Sequence, residues 1–181
     1  IYGYTYNFDK APSNDADGPW IYHGDRTTKF EVTDGALEVT CAPTGNVATN
    51  SPWLQTGVLD MTKNLNYPTS RAEVAWVRLK LSNLTTFIDP IYDLEQAVAR
   101  LAFVLNEDAT MEDSSCWVDF PLSEEQLNSS DYMTLSADIT GLMADHEARR
   151  ITAVRLSLIT AAGLSGKTGT FRIDEIYVGP R

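Results

Sequence analysis

Along most of the chain, apolar and polar residues alternate one for one. That spacing suits a half-buried β-strand, whose successive side chains point to opposite faces. The run Thr28-Lys29-Phe30-Glu31-Val32 alternates, Asp34-Gly35 follows, and Ala36-Leu37-Glu38-Val39-Thr40 alternates back. Asp-Gly between two such runs predicts a two-residue hairpin, because glycine accepts a positive φ. The same pattern predicts strands over 72–81, 100–106, 116–120, 132–139, 151–160 and 169–178, after an opening strand Ile1-Tyr2-Gly3-Tyr4-Thr5-Tyr6. Together these make about nine short strands.

Helical spacing is weak. Residues 121–127, with Pro first and acids in the first turn, fit two turns, and residues 141–150 fit another short helix. Neither can carry the chain between parallel strands, so the sheets should be antiparallel. The expectation is an all-β, antiparallel two-sheet β-sandwich of jelly-roll type, one domain over residues 1–181.

Strand parity sorts the side chains. Ala75, Val77, Leu79 and Leu81 share the inward face of one strand, leaving Trp76 and Arg78 outside. Leu101, Phe103 and Leu105 point inward on another, with Arg100 outside. Cys116, Val118 and Phe120 leave Trp117 and Asp119 outside, and Val154, Leu156 and Leu158 leave Arg155 outside. A sugar ring has an apolar face of C–H bonds and a rim of hydroxyls. Indole stacks on the first, and planar Arg or Asp hydrogen-bonds the second. One sheet face bearing Trp76, Arg78, Arg100, Trp117, Asp119 and Arg155 would have that chemistry. The competing reading makes each Trp plain core beneath long loops. Trp20, Tyr22, Trp53 and Tyr92 lie in turn-rich stretches, where an aromatic either binds or plugs the end of a sandwich.

Charge narrows the partners. With 25 acidic and 14 basic side chains the net charge is −11, which disfavours nucleic acid and anionic membrane surfaces. No apolar run reaches the ~18 residues of a membrane span. No signal segment opens the chain, which suits a mature protein or an excised domain. Cys41 and Cys116 either pair or stay as buried thiols, and two cysteines with two histidines do not make a standard zinc cluster.

Enzyme motifs fail on context. The stretch from Ala161 to Thr168 is a loose phosphate loop, but an alternating strand follows it where a helix is required. Gly163-Leu164-Ser165-Gly166 is one residue short of a nucleophile elbow. Carboxylate pairs can cleave glycosidic bonds, yet 25 acids make some pair unavoidable.

Two segments carry a family resemblance. The opening Asn7-Phe8-Asp9, Asp17-Gly18-Pro19-Trp20 and Val32 to Val39, with the ending Ile151 to Leu156 and Gly169 to Val178, resemble jelly-roll carbohydrate-binding modules of the galactose-binding-like β-sandwich type. These segments cover about a third of the chain, and 60–131 matches no pattern. The resemblance implies a non-catalytic, secreted or cell-surface module, often bacterial, covalently linked to a polysaccharide-degrading catalytic domain, with a polysaccharide as its ligand. It also implies a structural Ca²⁺ held by Asp9 and Asp174 with backbone carbonyls. A catalytic β-sandwich (a polysaccharide lyase or glycoside hydrolase) and an adhesive or structural domain are the alternatives.

Overall fold

The computed structural model describes residues 3–8, 20–45, 50–56, 65–89, 97–108, 111–129, 131–158 and 163–181. In chain order the strands are β1 (Tyr4–Tyr6), β2 (Trp20–His23), β3 (Thr27–Thr33), β4 (Ala36–Cys41), β5 (Thr44–Gly45), β6 (Trp53–Thr56) and β7 (Tyr67–Pro68). Then come β8 (Val74–Ser82), β9 (Val98–Leu105), β10 (Trp117–Pro121), β11 (Met133–Asp138), β12 (Arg150–Ser157), β13 (Leu164–Ser165) and β14 (Gly169–Gly179).

They form two antiparallel sheets. Sheet 1 runs β11-β8-β14-β4-β3, with β1 paired to the far half of β14. Sheet 2 runs β10-β9-β12-β6-β2, with β7 paired to the start of β12. The fold is the expected jelly-roll-type β-sandwich. The Asp34-Gly35 turn joins β3 to β4 with both residues at positive φ, 52° and 75°, the geometry of a twisted two-residue hairpin.

The core lies between the sheets and follows the parity read from sequence. Sheet 1 contributes Leu37, Val39, Ala75, Val77, Leu79, Leu81, Phe171, Ile173, Ile176 and Val178. Sheet 2 contributes Leu54, Leu101, Phe103, Leu105, Val154 and Leu156. Burying each large apolar side chain stabilises the fold by about 1.5–3 kcal/mol. In β14, Ile173 pairs with Leu79 and Glu175 with Arg78, so Asp174 is an extra residue at a β-bulge. The bulge lets both Ile173 and Ile176 face inward, although two residues separate them.

Helix is sparse, as expected. Residues Thr140–Ala144 form one short α-helix, and the 121–127 prediction shrinks to a 3₁₀ turn at Gln126–Asn128. Cys41 and Cys116 are free and buried. Burial pushes the Cys41 thiol up to about 12 and the Cys116 thiol up to about 11, because a thiolate loses its hydration there.

Candidate functional site

The six outward residues expected on one face occupy two. Trp76 and Arg78 stand on β8 and hence on the outer surface of sheet 1. Arg100, Trp117, Asp119 and Arg155 stand on β9, β10 and β12, on the outer surface of sheet 2. Parity determines whether a residue faces out, whereas long-range pairing determines on which sheet it does so. That pairing separates the two groups by the thickness of the sandwich.

Register arranges the sheet 2 group in two rows across the strands. Asp119, Arg100, Ser157, Trp53 and His23 lie in one row. Trp117, Ala102, Arg155 and Gln55 lie in the next. His23 and Gln55 are members that sequence reasoning missed, while Trp53 stands there only as a loop aromatic that either binds or plugs. Trp53 and Gln55 flank the buried Leu54 on the four-residue strand β6, and so short an alternation is barely visible beside Asn50-Ser51-Pro52.

Planar groups stack along these rows. The guanidinium carbon of Arg155 lies 3.9 Å from the centre of the Trp53 ring, and its Nε donates to Gln55 Oε1 at 2.7 Å. His23 stacks on Trp53, with ring centres 5.3 Å apart and planes 26° apart. Because β6 runs between β2 and β12, Trp53 is flanked on both sides and serves as a support. At the other edge, the guanidinium carbon of Arg100 lies 4.5 Å from the centre of the Trp117 ring. Its Nε and Nη2 donate to Asp119 Oδ1 and Oδ2 at 2.7 and 3.0 Å, a bidentate pair. Trp117 is 40% exposed, the most open large apolar side chain among the described residues. Its strand, β10, is an edge strand, so the indole face turned away from Arg100 is available.

The two arginines lean apart, Arg155 toward β6 and Arg100 toward β10. Between them the small side chains of Ala102 and Ser157 floor the centre of the face. The supports at Trp53 and Trp117 stand three strand spacings apart, about 14 Å. The Arg100 guanidinium has N–H groups beyond the two that meet Asp119, and the Asp119 oxygens have spare lone pairs. The face therefore offers fixed donors and acceptors beside an exposed indole. Among the described residues, the strands of this sheet carry one carboxylate, Asp119, and it is paired. Glycoside hydrolysis ordinarily uses two.

Several expectations resolve elsewhere. Tyr22 stacks on Phe30 at 4.5 Å and its hydroxyl lies 2.7 Å from that of Thr27, so it plugs the sandwich. Tyr92 and Asp9 lie outside the described residues. Asp174, the other expected Ca²⁺ ligand, accepts a hydrogen bond from Arg78 Nε at 3.0 Å. No group of three or more His, Cys, Asp or Glu among the described residues is placed to hold an ion. A hollow of about 480 Å³ beside the short helix, lined by Thr69, Ala72, Glu73, Met143 and Glu147, shares no residue with the stacked face. No helix among the described residues is long and apolar enough to cross a membrane.

No protein-family model matches the chain, and no curated protein matches it. Solved structures do resemble it, carbohydrate-binding modules among them. The glycoside hydrolase domain of Endo-D from Streptococcus pneumoniae R6 is similar at a TM-score of 0.51 and 12% identity, over 88% of this chain and 21% of that one. The chain thus spans about a fifth of that structure's length. The module in "CBM4 structure and function" is similar at a TM-score of 0.49 and 11% identity, over 91% and 98% of the two chains. The "xylan-binding module CBM15" is similar at 0.48 and 14% identity, over 99% and 97%. At 12% identity, the likeness to the Endo-D domain extends to the fold alone.

Proposed function

We propose that this domain binds a polysaccharide on the outer face of sheet 2 and holds a covalently linked polysaccharide-degrading domain on its substrate, outside the cell. The observation that carries the reading is the pair of arginine-backed indoles, Trp53–Arg155 and Trp117–Arg100, on one outer face, with Trp117 40% exposed. A pyranose ring stacks on the open face of Trp117, and its hydroxyls meet the Arg100–Asp119 pair. Arg155, held against Gln55 and Trp53, stiffens the far end of the same face. Because these groups are held by their neighbours before any ligand arrives, little side-chain entropy is lost on binding. Affinity per site stays modest, since each sugar hydroxyl exchanges a good bond to water for one to protein. The Endo-D chain, in which a comparable fold spans about a fifth of a glycoside hydrolase polypeptide, supports linkage to a catalytic partner.

Electrophoresis through gels containing soluble polysaccharides tests the reading. The native domain should be retarded by at least one of them. Trp117→Ala should migrate as in a blank gel while its melting temperature stays within a few degrees, the indole acting as a binding hot spot worth about 2 kcal/mol or more. Unchanged retardation of Trp117→Ala would remove this face from the proposal.

A further inference from the structure

The outer surface of sheet 1 carries an aromatic pair of its own. Trp76 on β8 and Tyr177 on β14 are opposite in register, with ring planes 15° apart and centres 5.4 Å apart. Tyr177 is fixed in place: its hydroxyl donates to the Pro180 carbonyl oxygen at 2.5 Å. Its ring lies where only glycine neighbours permit. A Cβ on Gly3 would stand 2.5 Å from the ring, and one on Gly179 would stand 2.8 Å from the hydroxyl oxygen. The tyrosine covers one face of the indole.

On the other side of Trp76, register places Ser136 of β11, the edge strand of this sheet. Ser136 is exposed, and so is Thr134, which pairs with Arg78. A serine side chain is too short to cover an indole, and Trp76 is partly exposed on this side of the sheet. Several flanking charges are paired, Arg78 with Asp174 at 3.0 Å, Arg172 with Glu38 at 3.1 Å, and Lys29 with Glu38, while Lys80 and Glu175 on the same face form no ion pair among the described residues. Hydroxyls beside an indole complement a hydroxyl-rich ligand with an apolar ring face.

We infer that sheet 1 carries a second glycan site, in which the indole of Trp76 stacks a pyranose of a polysaccharide and Ser136 and Thr134 bond its hydroxyls. The inference rests on the glycan-binding reading of sheet 2. The two sites face away from each other across sheets about 10 Å apart, so one stretch of sugar chain cannot fill both. The domain therefore bridges two chains, and its hold on a polysaccharide surface rises by avidity beyond either site alone.

Calorimetric titration with xylohexaose, cellohexaose and mannohexaose in turn tests this. A hexasaccharide that binds should bind at two per native protein. Trp117→Ala should leave one site, and Ser136→Phe, which fills the space over Trp76 without removing it, should also leave one. The double variant should bind none. One sugar per native protein, with all binding lost in Trp117→Ala, overturns the second site and leaves the sheet 2 proposal standing. Binding by neither native protein nor variants overturns both. Sedimentation of a native dimer that Ser136→Phe dissociates makes this surface an interface between copies and also overturns the second site.

Discussion

The two outer faces are built from the same kinds of residue and use them differently. On sheet 1 the arginines reach sideways to carboxylates on neighbouring strands, Arg78 to Asp174 and Arg172 to Glu38, with Arg78 also 5.0 Å from the centre of the Tyr132 ring, and Trp76 stacks on Tyr177. On sheet 2 the arginines lie against indole faces, Arg155 on Trp53 and Arg100 on Trp117, and one carboxylate serves the whole row. A guanidinium engaged by a carboxylate mainly ties strands together. One resting on an indole stiffens the ring and keeps donors turned outward. What a face can recognise is therefore decided by which partner each arginine finds, more than by which residues are present.

The largest effect should come from the layer both faces share. Phe103 is fully buried between the sheets, and Phe103→Ala should lower unfolding free energy by about 3–5 kcal/mol in a urea titration. Both aromatic arrays should loosen together; loss of one alone would show that each sheet keeps its shape unaided. Next in size is Arg100→Lys. It keeps the charge but loses the plane that rests on Trp117 and the bidentate grip on Asp119, so sugar affinity should fall about tenfold with little change in stability. Equal affinity would mean the guanidinium only fills space. Arg78→Ala on the opposite face should cost at most about 1 kcal/mol of stability, as expected for a half-exposed ion pair, and leave Trp117-dependent retardation unchanged.

The smallest effect concerns pH. The hydrogen bond from Lys29, aided by Arg172, holds the Glu38 carboxyl below its ordinary range. A carboxylate with a lowered folded-state value stabilises the protein above its unfolded value, about 4.3, and that contribution vanishes as pH falls through the lowered one. Native protein should lose slightly more stability than Glu38→Gln between pH 5 and pH 3, by under about 1 kcal/mol. Parallel curves would show that sheet 1 does not depend on that pair.

Much of the fold was legible because the long strands alternate cleanly. The inward sets on β8, β9, β12 and β4, and the Asp34-Gly35 hairpin, follow from local spacing alone. The site was half legible. Arg100, Trp117, Asp119 and Arg155 come together as their parity suggested. Trp76 and Arg78 do not join them, because β8 pairs with β14 and β11, partners many residues away, and nothing local specifies that choice. Trp53 reads only as a loop aromatic, because with one buried neighbour, Leu54, its strand offers a single alternation.

The extra residue in β14 makes the last strand unusually tolerant of one particular deletion. Ile173-Asp174-Glu175-Ile176 holds two polar residues where a regular pleat admits one. A chain shortened by Asp174 would restore strict in-and-out order, with Glu175 still wet and Ile176 still dry, and would forfeit only the ion pair with Arg78. Loss of Phe171 or Tyr177 instead would turn the remainder of the strand inside out. Length variation among relatives of this protein should therefore gather at that one point of its final strand.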